Sequence, residues 1–270
     1  TTASSYKHPD ISKSRHSNPM GFLLPEGIQS STSAVAQGIF FKPDGTRFYI
    51  IDPVQDKVLA YDLSTAWNVF TAVEVANVSV ASNVSSGLDI HFKPDGTKMF
   101  LVNSAGNTTV GTDTIHEFAL STAWDITTIS HTGSGTIPVL ATARGLFFKP
   151  DGTRAFLAGG ETAITNHPFF GPIVGHTGDI QQINLSTAWD ITSTISATGT
   201  LEVDSVDLAP NAIWFSSDGT KMFMAGAGGD DVTRFNLSTA WDITTASYNS
   251  TTGQLVNLAE PDGLFFKDDG

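Results

Sequence analysis

The chain has 270 residues, 40% of them apolar and only 15% charged, with a formal net charge of −13 and no cysteine. That is ample material for the core of one large domain, and too little charge for a disordered chain. The acidity disfavours contact with nucleic-acid backbones and anionic lipid. The absence of cysteine removes disulfides, thiolate metal sites and cysteine nucleophiles, and no apolar run approaches the roughly eighteen residues of a membrane-spanning helix.

Residues 1–18 read as a linker or arm, and Pro19 to Leu24 align with the last strand of the repeats that follow. Two signatures then alternate. The first is an apolar run ending in Asp-Gly: Gly38 to Thr46, Ile90 to Thr97, Gly145 to Thr153, Ile213 to Thr220, and Gly263 to Gly270. The second is Leu-Ser-Thr-Ala-Trp, starting at Leu63, Leu120, Leu185 and Leu237 and ending at Trp67, Trp124, Trp189 and Trp241.

The distance between successive turn glycines (Gly45, Gly96, Gly152, Gly219, Gly270) is 51 to 67 residues, which suits a four-stranded blade. Pro-Asp-Gly-Thr between short runs rich in Phe, Ile, Val and Tyr is a hairpin turn, with proline presetting φ and glycine taking the positive φ. One blade then reads as strand A over 37–42, strand B over Phe48 to Ile51, strand C over Val58 to Asp62, and strand D near Phe70 to Val75. The next strand A begins at Leu88. Strand A is apolar at nearly every position, as befits an innermost strand packed on both faces, and the tryptophans are expected to fill the space between blades. The chain is therefore predicted to be all-β: residues 19–270 form a β-propeller of antiparallel blades, four of them covered plus part of a further one. A strand D ahead of the first strand A would pair with final A, B and C strands and close the ring. A start at Thr1 and a stop inside a motif at Gly270 predict that the chain is part of a longer protein.

At these two signatures the sequence resembles the β-propeller repeats of the YVTN and lactonase-like superfamily. Its Leu-Ser-Thr-Ala-Trp-Asp variety is similar to repeats in virion proteins of marine phages and in secreted bacterial proteins. The resemblance covers roughly residues 19–270 and implies an extracellular or virion-surface location; it says little of activity, since propellers host many functions.

The spacing locates the variation. From each corner Leu to the next turn Gly (Leu63 to Gly96, Leu120 to Gly152, Leu185 to Gly219, Leu237 to Gly270) is 32 to 34 residues, whereas Gly45 to Leu63, Gly96 to Leu120, Gly152 to Leu185 and Gly219 to Leu237 are 18, 24, 33 and 18. All insertions thus lie between strands B and C, on the face opposite the Asp-Gly turns, where binding on a rigid scaffold concentrates. The shorter runs from Asn103 to Thr114. The longer, Gly159 to Gly178, carries Glu161, His167, Phe169, Phe170 and His176. Its aromatics beside glycines suit contact with carbohydrate or protein, against the plainer reading that they fold back to anchor the loop. His167 and His176 lack a third metal ligand of convincing spacing, although Asp179 and Glu161 are near in sequence.

A second candidate region is the channel mouth, where each strand A begins: Gln37, Leu88, Arg144, Asn211 and Asp262, with Asp89 and His91 breaking the Gly-Phe pattern of their repeat. A polar ring with one Arg suits a small anionic or sugar ligand; the plainer reading is a solvated channel. The Asp-Gly pairs lack the oxygen series of a helix-loop-helix calcium loop, so turn chemistry explains them, and Asp230 with Asp231 is a weak calcium candidate; no other cofactor is expected. Asn77, Asn83, Asn107, Asn184, Asn236 and Asn249 stand in glycosylation sequons. No hydrolase elbow, zinc-protease or phosphate-loop motif occurs. The reading these features favour is a non-enzymatic binding or structural propeller of a virion appendage or cell surface. Its partners would be other virion or surface proteins or a host-surface glycan, without nucleic-acid binding or membrane insertion. The alternatives are a propeller lactonase or hydrolase working at the channel mouth, and a self-associating filament subunit.

Overall fold

The computed structural model describes residues 36–106, 109–138, 140–161, 177–229, 231–252 and 261–267. Strands β1 (Gln37–Phe41), β2 (Arg47–Asp52), β3 (Lys57–Leu63) and β4 (Ala72–Ser79) form blade 1. Blade 2 is β5 (Gly87–Phe92), β6 (Lys98–Asn103), β7 (Thr114–Leu120) and β8 (Ile129–Thr136). Blade 3 is β9 (Thr142–Phe148), β10 (Arg154–Glu161), β11 (Thr177–Leu185) and β12 (Ile195–Glu202), and blade 4 is β13 (Pro210–Phe215), β14 (Lys221–Gly226), β15 (Asp231–Leu237) and β16 (Ala246–Thr251). Neighbouring strands pair antiparallel throughout. The first strands β1, β5, β9 and β13 lie against one another in succession, the radial order of a propeller.

The turn sequence builds the blade. Gly45 N donates to Lys42 O (2.8 Å) and Lys42 N to Arg47 O (2.9 Å), with Pro43 inside the turn and Gly45 at φ +70°. Asp44 Oδ1 accepts from both the amide and the hydroxyl of Thr46 (3.0 and 2.6 Å), which explains why threonine follows the glycine. The Trp corner docks on this turn: Leu63 N donates to Thr46 O (2.8 Å) and Trp67 N to Gly45 O (2.9 Å). The same pair of bonds recurs at Leu120 and Trp124, Leu185 and Trp189, and Leu237 and Trp241. These turns and corners therefore share one face. The other loops share the opposite face, where Ser104 N donates to Ser86 O and Ala227 N to Ala209 O.

The fourth strand starts later than the sequence predicts. Asn68, Asp125 and Asp242 each cap a single 3₁₀ turn (Val69–Thr71, Ile126–Thr128, Ile243–Thr245), and the strand begins only after it. A short polar side chain that bonds the amide two residues on favours such a turn over extended chain, which moves the strand start from 70 to Ala72.

The tryptophans sit between blades. Trp124 stacks on Phe92 of its own blade and on Phe40 and Tyr49 of blade 1. Trp189 faces Phe148 and, across the joint, Phe100; Trp241 faces Phe215 and, across the joint, Phe147 and Phe156. At the axis one ring from each inner segment meets the next in a closed cycle. Ring centroids are 5.0 Å apart for Phe40–His91, 5.4 Å for His91–Phe147, 5.0 Å for Phe147–Trp214, 4.3 Å for Trp214–Phe265 and 5.7 Å for Phe265–Phe40. The segment 261–267 thus lies between β13 and β1 as a fifth inner element. The expected strand at Pro19 to Leu24 lies outside the described residues.

Candidate functional site

The channel mouth is shaped by a bulge at the start of each inner strand. The ladder skips Gly38 in β1, Leu88 in β5, Arg144 in β9 and Asn211 in β13. A bulged residue leaves the pleat and its side chain is re-aimed, so three of the five predicted mouth residues owe their position to this device. Arg144 is exposed and Leu88 half-buried. Asn211 is buried, and its Nδ2 donates to Asp262 Oδ1 (3.0 Å) and Pro261 O (3.3 Å), while its Oδ1 is buried without a partner. Gln37 pairs with Ile51 at the edge of the ladder, half-buried, and its Oε1 also has no partner.

The two residues that break the repeat pattern are internal. Asp89 occupies the place of Gly38, Gly145 and Gly263. Its Oδ1 accepts from Ile90 N (2.8 Å), and its Oδ2 reaches blade 3, accepting from Leu146 N (2.7 Å). Burial pushes its carboxyl up to about 8, against the pull of these two amides. His91 takes the place of a phenylalanine in the axial ring. It is wedged between Phe40, Phe147 and Phe148, and burial holds its imidazole down at about 3. A histidine wedged among aromatic rings and a carboxyl held by two amides join blades, and both are buried.

The loop face carries the other candidates. Blade 3 differs from its neighbours here: β10 and β11 have 8 and 9 residues, against 6 and 7 in β2 and β3, β6 and β7, and β14 and β15. Their pairing continues to Glu161 opposite Thr177, so the sheet extends about 7 Å further on this face, at the rise of a β-strand. Residues 162–176, with His167, Phe169, Phe170 and His176, lie outside the described residues, as does Asp230. Asp231 begins β15, half-buried, and accepts from Thr233 Oγ1 at 3.4 Å. Among the described residues no three His, Asp or Glu side chains converge to hold a metal.

Several polar residues that the spacing did not single out organise this face. Asp113, fully buried, accepts from Ala105 N (2.7 Å) in its own loop and from Ala143 N (2.6 Å) in blade 3. Asp207 accepts from Ala209 N (2.7 Å), Gly228 N (3.0 Å) and Gly229 N (3.2 Å), holding two loops of blade 4. His116 and His131 bond ring to ring (3.1 Å), with Thr114 and Asn83 at the two ends of the chain. The Asp113–Ala143 and Asn83–His131 bonds, 30 and 48 residues apart, exist only once neighbouring blades are laid side by side. On the turn face a cleft of about 340 Å³ between blades 1 and 2 is lined by Lys42, Arg47, Asp62 and Trp124, but Arg47 is already committed to Asp62 and to Trp124 O.

No family model matches the chain, and no curated protein matches it in sequence. Solved structures do match in shape. Hydrazine synthase of Kuenenia stuttgartiensis is similar at 14% identity with a TM-score of 0.53, over 86% of this chain and 66% of that one. A protein of unknown function from Desulfotomaculum acetoxidans is similar at 13% identity and 0.48, over 83% and 58%. The periplasmic gluconolactonase of Pseudomonas aeruginosa is similar at 14% and 0.46, over 85% and 56%. The chain therefore spans between 56% and 66% of the length of these proteins. At 14% identity the likeness to hydrazine synthase speaks to architecture and not to chemistry, and the sheet order shows the same: the chain is a β-propeller of four-stranded blades.

Proposed function

We propose that this propeller is a non-catalytic binding module of a virion or cell surface, which holds a glycan or protein partner through the loop face of blade 3. The observation that carries the reading is the β10–β11 hairpin, whose ladder outreaches those of the other blades on the face where all the sequence insertions fall. A long insertion on a rigid, extended hairpin is a common way to present contact residues, and this one contains Phe169, Phe170, His167 and His176. The interior supports the same reading. Asp89 and His91, on an inner strand, are spent on joining blades, and aromatic rings meet in a closed cycle at the axis. Replacing residues 162–176 by a two-glycine turn leaves the ladder intact and removes the proposed contact. On a glycan array and on candidate host cells, the shortened protein is expected to lose binding at least tenfold while keeping its melting temperature. Undiminished binding would take this loop out of the account.

A further inference from the structure

The joints between successive blades reuse two contacts, the first at all three joints and the second at two. The first residue of the second strand reaches the corner carbonyl of the next blade: Arg47 Nη1 to Trp124 O (3.0 Å), Lys98 Nζ to Trp189 O (2.6 Å), and Arg154 to Trp241 O. The third strand reaches the turn that follows the corner: Glu117 Oε2 accepts from Ile191 N and Gln182 Oε1 from Ile243 N, both at 3.1 Å. At all three joints the isoleucine of that turn is sealed, with Ile126, Ile191 and Ile243 at 1%, 0% and 0% exposure. Beside Ile191 and Ile243, a threonine methyl (Thr192, Thr244) lies over a glycine of the preceding outer strand (Gly133, Gly199).

Each half of this joint occurs once more without its complement. On blade 4, Lys221 stands where Arg47, Lys98 and Arg154 stand, yet among the described residues it meets no corner carbonyl. Arg234 stands where Glu117 and Gln182 stand; its Nη2 donates to Asn249 Oδ1 of its own blade, while its Nε is buried and unpartnered. On blade 1, the Trp67 carbonyl receives no side-chain donor among the described residues. Val69, in the place of the sealed isoleucines, is only half-buried, and Phe70, in the place of the threonines, is 75% exposed. Between these two faces runs the segment 261–267. A β-carbon on its Gly263 would lie 3.4 Å from Ile39 N and 3.6 Å from Gly38 Cα, the counterparts of Ile90 N and Asp89 Cα, which a β-carbon on Gly38 would meet in blade 2.

We infer that Lys221 and Arg234 on one side, and the Trp67 carbonyl, Val69 and Phe70 on the other, are the two halves of a docking site for one further four-stranded blade. Its inner strand is the segment 261–267, and the ring has five blades. The closed cycle of five aromatics at the axis fixes the number, because each ring already touches both neighbours and leaves no place for a sixth. The chemistry of the fifth blade follows from its partners. Its corner offers a backbone carbonyl to Lys221. It also offers an acidic cap, of the kind supplied by Asp125 and Asp242, to the Arg234 guanidinium, which as a donor cannot serve the amide that Glu117 and Gln182 serve. Its second strand starts with a cation for the Trp67 carbonyl, and its outer strand lays a small residue beneath Phe70.

The test uses the natural full chain. Lys221→Met is expected to lower the melting temperature by at least about 2 °C, as Arg154→Met does at a joint already seen, with Lys221→Arg restoring it. Electron-microscopy averages viewed down the axis are expected to show five blades in a single-chain particle. An unchanged melting temperature in Lys221→Met beside a lowered one in Arg154→Met would overturn the inference. So would a ring of four or of six blades, or a gap closed by a second copy.

Discussion

The indole of Trp67 occupies the space where a β-carbon of Gly45 would stand: a methyl group built there would lie 2.3 Å from the ring. Gly96 and Trp124, Gly152 and Trp189, and Gly219 and Trp241 repeat the relationship. The two repeating signatures of the chain are thus two halves of one contact. The glycine is required twice, by its φ of about +70° and by the ring above it, and each tryptophan itself sits in the left-handed region, with φ between 60° and 67°. Only a corner held by both backbone bonds and ring stacking keeps a bulky residue in that conformation.

Gly96→Ala is expected to cost more than about 2 kcal/mol of stability, combining backbone strain with displacement of the indole. Trp124→Ala is expected to cost about 3–5 kcal/mol, the usual penalty for a large aromatic lost from a packed site. In the double variant the alanine methyl has room, so the two costs should sum to less than their separate values by more than about 0.5 kcal/mol. Chemical denaturation of the four proteins measures this coupling, and strict additivity would mean the ring is not what excludes the methyl.

Lys98→Met is expected to be more damaging than a surface lysine change, because Glu117 depends on it. The Lys98 ammonium lies 2.7 Å from Glu117 Oε1 and 2.6 Å from Trp189 O, and the glutamate is buried. Removing the cation leaves a buried carboxylate unpaired, at about 3–5 kcal/mol. Adding Glu117→Gln should recover part of that loss, since the amide oxygen still accepts from Ile191 N as Gln182 does from Ile243 N. Equal melting temperatures for the single and double variants would contradict this.

Asp89 makes stability depend on pH in a defined direction. Its folded carboxyl is raised to about 8, above the unfolded value, so its contribution is complete below pH about 4 and is lost as pH rises through 8. Asp89→Gly, which installs the residue of Gly38 and Gly145, lacks that loss. Between pH 5 and pH 9 the stability difference should move in favour of the variant by more than about 1 kcal/mol. A difference that is flat with pH would mean the carboxyl is ionised throughout.

The sequence made the blade plan readable because turn chemistry is local: Pro-Asp-Gly-Thr dictates its own geometry, and the alternation of Phe40, Phe41 and Phe48 with turn residues leaves little but short strands. Strand A, the Trp corners and the single-face insertions follow from that alone. The late start of the fourth strand was hidden because Asn68 and Asp125 act through a cap bond that propensity does not display. At the mouth the sequence shows order along the chain and not role. Gln37, Arg144, Asn211 and Asp262 stand within the first three residues of their inner segments. Asp89 and His91 turn inward because their partners, Leu146 and Phe147, lie on a strand more than fifty residues away.

His91 gives the opposite pH sign. Its folded imidazole is held down at about 3 by burial, so its share of stability is present above pH about 6.5 and lost as pH falls toward 3. His91→Phe completes the axial ring with the residue found at Phe40 and Phe147. Its advantage over the native protein should grow by more than about 1 kcal/mol between pH 7.5 and pH 4. Urea unfolding at the two pH values measures it, and an advantage that shrinks in acid would place a proton on the folded imidazole.

The most direct test sets the two candidate regions against each other in one binding experiment. The protein shortened at residues 162–176 is compared with an Arg144→Ala and Asn211→Ala double variant, both on the same glycan array and host cells and with a panel of sugar lactones. Loss of binding in the shortened protein alone, with no lactone turned over by any of the three, is the predicted result. Loss of binding in the mouth variant, or lactone hydrolysis that disappears with it, would contradict a loop-face binding propeller.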